Sequence, residues 1–224
     1  MKKSFYFFIW LIVSLGTTSC EDKETHIQKP SKNITVAEKK QRFKTLLLPP
    51  INEVYITLMN QYKQTKKWIK NNSHKDDLLN LQQYYKVNNN KDLLKALKPH
   101  PKSIALAQSA MESGWATSRF TIEANNLFGI WSFNKNEPRI RSSQKRGNKI
   151  IWIKKYPNIK ASISDYYYLL ATSSAFKSFR RLKMRTNNPF LLVKKLDRYS
   201  ELGSKYTSEI ATMIRYNNFT KYDK

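Results

Sequence analysis

Helical spacing of apolar residues over most of the chain, broken once in the middle, is the feature that limits the fold most. In "INEVYITLMNQYKQTKKWIK", Ile51, Val54, Tyr55, Leu58 and Tyr62 recur three and four apart, which is one face of a helix. "NSHKDDLLNLQQYYKV" predicts a second helix, with Ser73 as N-cap and Asp76 in the first turn. "NNKDLLKAL" predicts a short third, ended by Pro99 and Pro101. Pro101 can open the next helix, where its missing N–H is not needed. That helix carries Ile104, Ala107, Gln108, Met111 and Glu112, and Gly114 closes it as a C-cap. Residues 116–124 predict another short helix. "LFGIWSF" and "NKIIWIKKY" are aromatic and β-branched, separated by a polar, basic stretch containing Gly147 and Asn148; they predict a β-hairpin or small sheet with a long loop. Helices return in "SISDYYYLLATSS", with Ser162 as cap, then in "NPFLLVKKL" and "GSKYTSEIATMIRYN". Tyr206, Ile210, Met213 and Ile214 share a face of the last. The pattern predicts an α+β fold, mainly α, with a small β-lobe made by the hairpin.

The amino terminus has its own logic. Lys2 and Lys3 precede the apolar run Phe5 to Leu15, too short for an ordinary transmembrane helix and suited to a signal peptide. Cys20 is the only cysteine, so no intramolecular disulfide can form. Its place directly after the apolar run and Ser19 resembles the acylated cysteine of a bacterial lipoprotein. Ordinary cleavage near Ser19 is the second reading, because Thr17 departs from the usual lipoprotein pattern. Either reading predicts export, with a lipid anchor at Cys20 in the preferred one. Residues 20–45 are polar and Lys-rich and predict a disordered tether after a signal peptide at 1–19. The domain is expected over 46–218, with a tail at 219–224.

Charge narrows the partners less than its size implies. Lys+Arg is 41 against 16 Asp+Glu, a net +25, which suits an anionic polymer or surface. The basic segments "SQKRGNK" and "FKSFRRLKMR" could by themselves contact nucleic acid. An exported chain meets little of it, so no nucleic-acid partner is expected.

Elimination leaves carboxylate chemistry. The histidines are His26, His74 and His100, and with one cysteine they give no zinc pattern, so no metal or cofactor is expected. There is no G-x-S-x-G and no P-loop, and the five glycines form no phosphate cradle. Most of the sixteen acids lie in the tether, at helix starts or among polar neighbours. Glu112 is different: it ends an apolar helix among Ala107, Ala110, Met111 and Trp115. Burial beside an aromatic raises a carboxyl pKa, as a general acid at neutral pH requires. A helix-dipole role fails, because a C-terminal end disfavours negative charge. Gln108 and Trp115, four before and three after, can share its face. From the residues alone, a paired structural glutamate remains the equal alternative.

"LAQSAMESGWATSRF", "NNLFGIWSF", "SISDYYYLL" and "YSELGSKYTSEI", in that order and spacing, resemble glycoside hydrolase family 73, the bacterial peptidoglycan N-acetylglucosaminidases, and within it the Bax-type subgroup. The likeness runs from about Leu46 to Asn218. It implies a lysozyme-like helical domain with a small β-lobe and a peptidoglycan glycan strand as partner. It implies Glu112 as the general acid and Tyr199 as the family's cleft tyrosine. By the same matching Asn126, Phe128 and Gly129 shape the cleft floor. Gln108 and Trp115, on the face of Glu112, and Trp131, whose ring can stack on a sugar, are the expected substrate contacts.

Two departures stand out. Ala116 replaces a frequent glycine after the tryptophan. The strand "KIIWIKKY" has no acid where many members carry a second one, and glycosidases usually use two carboxylates. Glu137 and Glu123 are the nearest substitutes in sequence. Substrate assistance, in which the sugar's own acetamido group acts, needs only Glu112. Both routes stay open, the second slightly preferred. The function expected is cleavage of the β-1,4 bond between N-acetylglucosamine and N-acetylmuramic acid. The alternative is a glycan-binding module on the same fold without turnover.

Overall fold

The computed structural model describes residues 27–31, 33–146 and 149–224. The export segment and Cys20 lie outside the described residues. In chain order the elements are α1 (Val36–Lys70), α2 (Lys75–Tyr84), α3 (Asn90–Leu97), α4 (Lys102–Glu112), α5 (Arg119–Ala124), β1 (Arg139–Arg146), β2 (Lys149–Lys154), α6 (Ile159–Thr172), α7 (Lys177–Lys183), α8 (Pro189–Leu192) and α9 (Ser204–Tyr216). Short 3₁₀ turns join the later ones. The mainly helical α+β expectation holds.

α4 is the axis of the domain. It is buried from Lys102 through Ala110, α1 and α9 pack against it, and α6, packed on α1, reaches it through Tyr166. Its small residues, Ala105, Ala107, Ser109 and Ala110, let those helices approach. Phe43, Leu47, Ile51 and Val54 supply the α1 side of this core, Ile163, Tyr166 and Leu170 the α6 side, and Tyr206, Ile210 and Ile214 the α9 side. A second apolar cluster joins Trp68, Leu78, Leu81, Tyr85, Leu93 and Leu97 beneath α2 and α3. Burial on every side explains why α4 shows no polar face until its last residue, Glu112.

Several boundaries differ from expectation. α1 starts at Val36, inside the stretch that composition reads as tether. Thr35 and Glu38 form a reciprocal capping box, with Thr35 N–H donating to Glu38 Oε2 at 2.8 Å. Phe43 is fully buried. Lysine-rich composition hid these turns because the lysines occupy the outer face. Pro49 and Pro50 lie within α1 and do not end it. α2 is capped at His74, not Ser73, in a left-handed conformation at φ 56° with its ring stacked on Trp68. α6 starts at Ile159 with Asn158 as N-cap, not Ser162, whose hydroxyl instead accepts from Leu127 N–H within the core.

The tail is part of the fold. Phe219 is buried, and the Asp223 carboxylate accepts from Ser103 N–H at 2.8 Å and from Ser103 Oγ at 2.7 Å. Pro101, the N-cap of α4, makes no side-chain cap, so Asp223 satisfies the first turn from a distance in sequence.

The hairpin is also placed differently. Its first strand is the basic stretch "RIRSSQKR" itself, paired antiparallel with β2 through Arg139↔Lys154, Ile140↔Ile153 and Arg141↔Trp152. "LFGIWSF" is a loop joined to β2 by the isolated Trp131↔Ile153 bridge. A two-stranded ribbon exposes much of its surface, so long charged side chains suit it, and Arg139 lies over the Trp152 ring at 4.4 Å.

Candidate active site

The end of α4 is built to stop abruptly. Trp115 N–H reaches Ala110 C=O at 2.9 Å and Gly114 N–H reaches Met111 C=O at 3.5 Å, the paired bonds of a Schellman closure. Gly114 sits at φ 56°, and Trp115 and Ala116 follow at 66° and 59°. A bulky residue at positive φ is uncommon and costs energy, so the surroundings must hold it. Trp115 turns away accordingly. Its ring meets Phe43 edge-on at 5.2 Å, approaches Phe219, and carries Lys40 at 5.0 Å. The helical spacing that put Trp115 on a face with Gln108 and Glu112 ends at Glu112, so it does not extend to the tryptophan.

Glu112 is therefore left at the helix end, open to solvent on one side and crowded by protein on the other. Crowding strips water from the carboxylate and raises its pKa above the ordinary value, and a hydrogen bond from Tyr206 opposes that rise. Tyr206 O–H donates to Glu112 Oε1 at 2.8 Å. Gln108 Nε2 donates to Tyr206 Oη at 2.8 Å, and Tyr166 O–H donates to Gln108 Oε1 at 2.6 Å. Gln108 and Tyr166 are fully buried, so Gln108 reaches Glu112 through Tyr206 rather than meeting a ligand. Burial raises both phenol pKa values, which keeps each a donor.

The loop after α5 forms the floor. Asn126 Nδ2 donates to Ile130 C=O at 3.0 Å and Lys154 C=O at 2.9 Å, and its Oδ1 accepts from Ile130 N–H at 3.1 Å. Asn126 is thus spent on tying the loop to β2. Phe128 is buried and stacks on Tyr166 at 3.9 Å. Gly129 takes φ 65°, and a Cβ there would lie 3.7 Å from Glu112 Oε2. The backbone angle, more than lack of space, is what favours glycine at this point. Tyr199 stacks on Tyr206 at 5.7 Å, and its hydroxyl donates to Phe128 C=O at 3.0 Å. Glu112's tyrosine partner is Tyr206, which the sequence marked only as part of an apolar helix face.

Glu137, Asp165 and Glu123 are each paired with a basic side chain. Lys154 lies 2.8 Å from Asp165 and 3.5 Å from Glu137. Tyr156 O–H donates to Asp165 at 2.7 Å. Asp165 stands in mid-α6, held between Lys154 and Tyr156. Glu123 pairs with Arg119 on the surface. Trp131 is 38% exposed, 6.2 Å from the 87% exposed ring of Phe133, so the β-lobe presents two aromatics where the sequence marked one. His100 is a core residue: it stacks on Tyr167 at 4.4 Å, and burial lowers its pKa to about 3. A cavity of about 130 Å³ beside it is lined by none of the candidate site residues. Among the described residues no group of three His, Cys, Asp or Glu could hold a metal.

The model of the glucosaminidase family, described as mannosyl-glycoprotein endo-beta-N-acetylglucosaminidase, matches residues 87–219, which contain every side chain of this site. The chain belongs to that family. Protein bax of Escherichia coli (strain K12) is 28% identical over 131 residues, 56% of this chain and 46% of that protein, so the match spans about half of its relative. The catalytic domain of the autolysin Auto from Listeria monocytogenes has the same fold, with a TM-score of 0.50 and 21% identity over 86% of this chain and 92% of that domain. The glucosaminidase domain is thus of the Bax type in glycoside hydrolase family 73. The family's description is that of an endo-beta-N-acetylglucosaminidase.

Proposed function

We propose that this glucosaminidase domain hydrolyses the β-1,4 bond between N-acetylglucosamine and N-acetylmuramic acid, with Glu112 as general acid. The observation that carries the reading is the setting of Glu112. It is solvent-reachable, its pKa is raised by desolvation, and one oxygen is held by Tyr206 on the floor of a family-matched domain. A raised pKa keeps the carboxyl protonated at higher pH, ready to protonate the leaving oxygen. Trp131 and Phe133 offer apolar faces for sugar rings.

Substrate assistance is the preferred second half. The acetamido oxygen attacks the anomeric carbon as Glu112 gives its proton to the leaving oxygen. Water then opens the cyclic intermediate, and ionised Glu112 takes the proton back. The support is that Glu137 and Asp165 both hold Lys154. A retained anomer in the first-formed product, read by NMR, is expected; an inverted one overturns this route and favours Glu137 as base.

A binding module without turnover is the second reading, favoured by the occupied second acids. Digestion of purified sacculi separates the two: soluble fragments support hydrolysis, and undiminished sacculi support binding alone. We also propose export with an acyl anchor at Cys20, from the signal-like sequence before it. Mass spectrometry of the mature amino terminus is expected to show a lipid on Cys20, and an unmodified end between Ser19 and Glu21 would contradict it.

A further inference from the structure

We infer that Tyr166, Gln108 and Tyr206 form a one-way hydrogen-bond relay that biases the transferable proton of Glu112 toward Oε2. The inference rests on the proposed role of Glu112 as the acid. Tyr206 has a single proton. Gln108 Nε2 already donates to its oxygen at 2.8 Å, so that proton turns to Glu112 Oε1, also at 2.8 Å. Oε1, the better acceptor when it is the carbonyl oxygen, then takes this hydrogen bond, which favours the acid proton on Oε2.

The direction is set at the far end. Tyr166 is fully buried, and Gln108 Oε1 is the acceptor of its hydroxyl proton at 2.6 Å. Reversing the Gln108 amide would point N–H at that hydroxyl and leave a buried phenol proton unpaired, which is costly. Reversal would also turn Tyr206 toward Gln108 and leave Glu112 Oε1 as the protonated oxygen. The cost of stranding the Tyr166 proton disfavours that arrangement. Oε2 accepts no hydrogen bond from the described residues and lies beside Gly129, where a Cβ would stand 3.7 Å away.

Tyr166, Gln108 and Tyr206 are positioning residues. They favour one oxygen of the acid over the other as the proton donor. After transfer, the proton has moved from Oε2 to the glycosidic oxygen, the C–O bond has broken, and Tyr206 keeps its own proton. Its O–H then makes a charge-assisted bond to the new carboxylate.

The test is a carboxyl carbon-13 NMR titration of Glu112 in the full chain, beside the pH profile of kcat/KM. Tyr206→Phe is expected to raise the Glu112 pKa, because it removes the bond that lowers it, and to cut kcat about tenfold, the equivalent of one modest hydrogen bond. Fluorotyrosine at 206, a stronger donor of nearly the same shape, is expected to move the pKa down. Gln108→Met is expected to move it up by less than Tyr206→Phe, and to add nothing on top of it. An unmoved titration, or opposite signs, in the folded variants overturns the relay. The NMR readout needs no turnover, so a binding module would still show these shifts, whereas the proposed activity fails separately if Glu112→Gln digests sacculi normally.

Discussion

Replacing Glu112 by glutamine is expected to lower turnover on peptidoglycan by about 10²–10⁴-fold, the usual effect of losing general-acid catalysis. Gln keeps the shape and can still accept from Tyr206 O–H, but it has no transferable proton. The fold is expected to survive. The wild-type carboxyl has a folded pKa raised by desolvation, so its native state binds the proton more tightly than the unfolded chain does. Stability from this group is therefore present below the unfolded pKa and lost as pH rises through the folded one. Glu112→Gln lacks that loss. At neutral pH it is expected to be at least as stable as wild type, with the difference closing in acid. Urea unfolding at two pH values checks stability, and fragment release from sacculi checks turnover. A glutamine variant that digests at the wild-type rate removes Glu112 from the mechanism.

The second large effect concerns the first turns of α1. Phe43→Ala is expected to cost about 3–5 kcal/mol, as burying and then deleting an aromatic ring does. Its ring is fully buried and meets Trp115 edge-on, which holds the strained turn after Glu112. Domains of this kind carry only about 5–15 kcal/mol in total, so the variant should unfold at a much lower urea concentration. If residues before Leu46 were tether, the change would stay within about 0.5 kcal/mol. A midpoint equal to wild type would return Phe43 to the tether.

Legibility in the sequence followed the physics of each signal. α4 and α9 were readable because their apolar spacing is regular and their burial deep. The start of α1 was readable in principle from Thr35-Val36-Ala37-Glu38, a capping-box pattern, and from Phe43 and Leu47 four apart; lysine-rich composition outweighed both. β1 was hidden because "RIRSSQKR" has no apolar alternation, and its pairing comes from β2 and from Arg139 over Trp152. Asp223 gives no sign of capping α4, since that contact joins residues 120 apart in sequence and no local pattern encodes it.

At the site, Glu112 was legible because an acid ending an apolar helix conflicts with its surroundings. The partners were not. Tyr206 lies 94 residues from Glu112 in sequence, and it looked like one more core aromatic. Gln108 was singled out for its place four before Glu112, yet it acts through Tyr206, a link that only tertiary packing creates. The pairing of Lys154 with Asp165 and Glu137 likewise joins β2, α6 and the loop before β1, so no spacing rule could supply it.

Glu112 is proposed as the acid for cleavage on the reducing side of N-acetylglucosamine. The most direct measurement is mass spectrometry of borohydride-reduced fragments from purified sacculi, wild type beside Glu112→Gln. The expected result is fragments ending in reduced N-acetylglucosamine from the wild type and about 10²–10⁴-fold fewer from the variant. Fragments ending in reduced N-acetylmuramic acid, or equal yields from the two proteins, would contradict it.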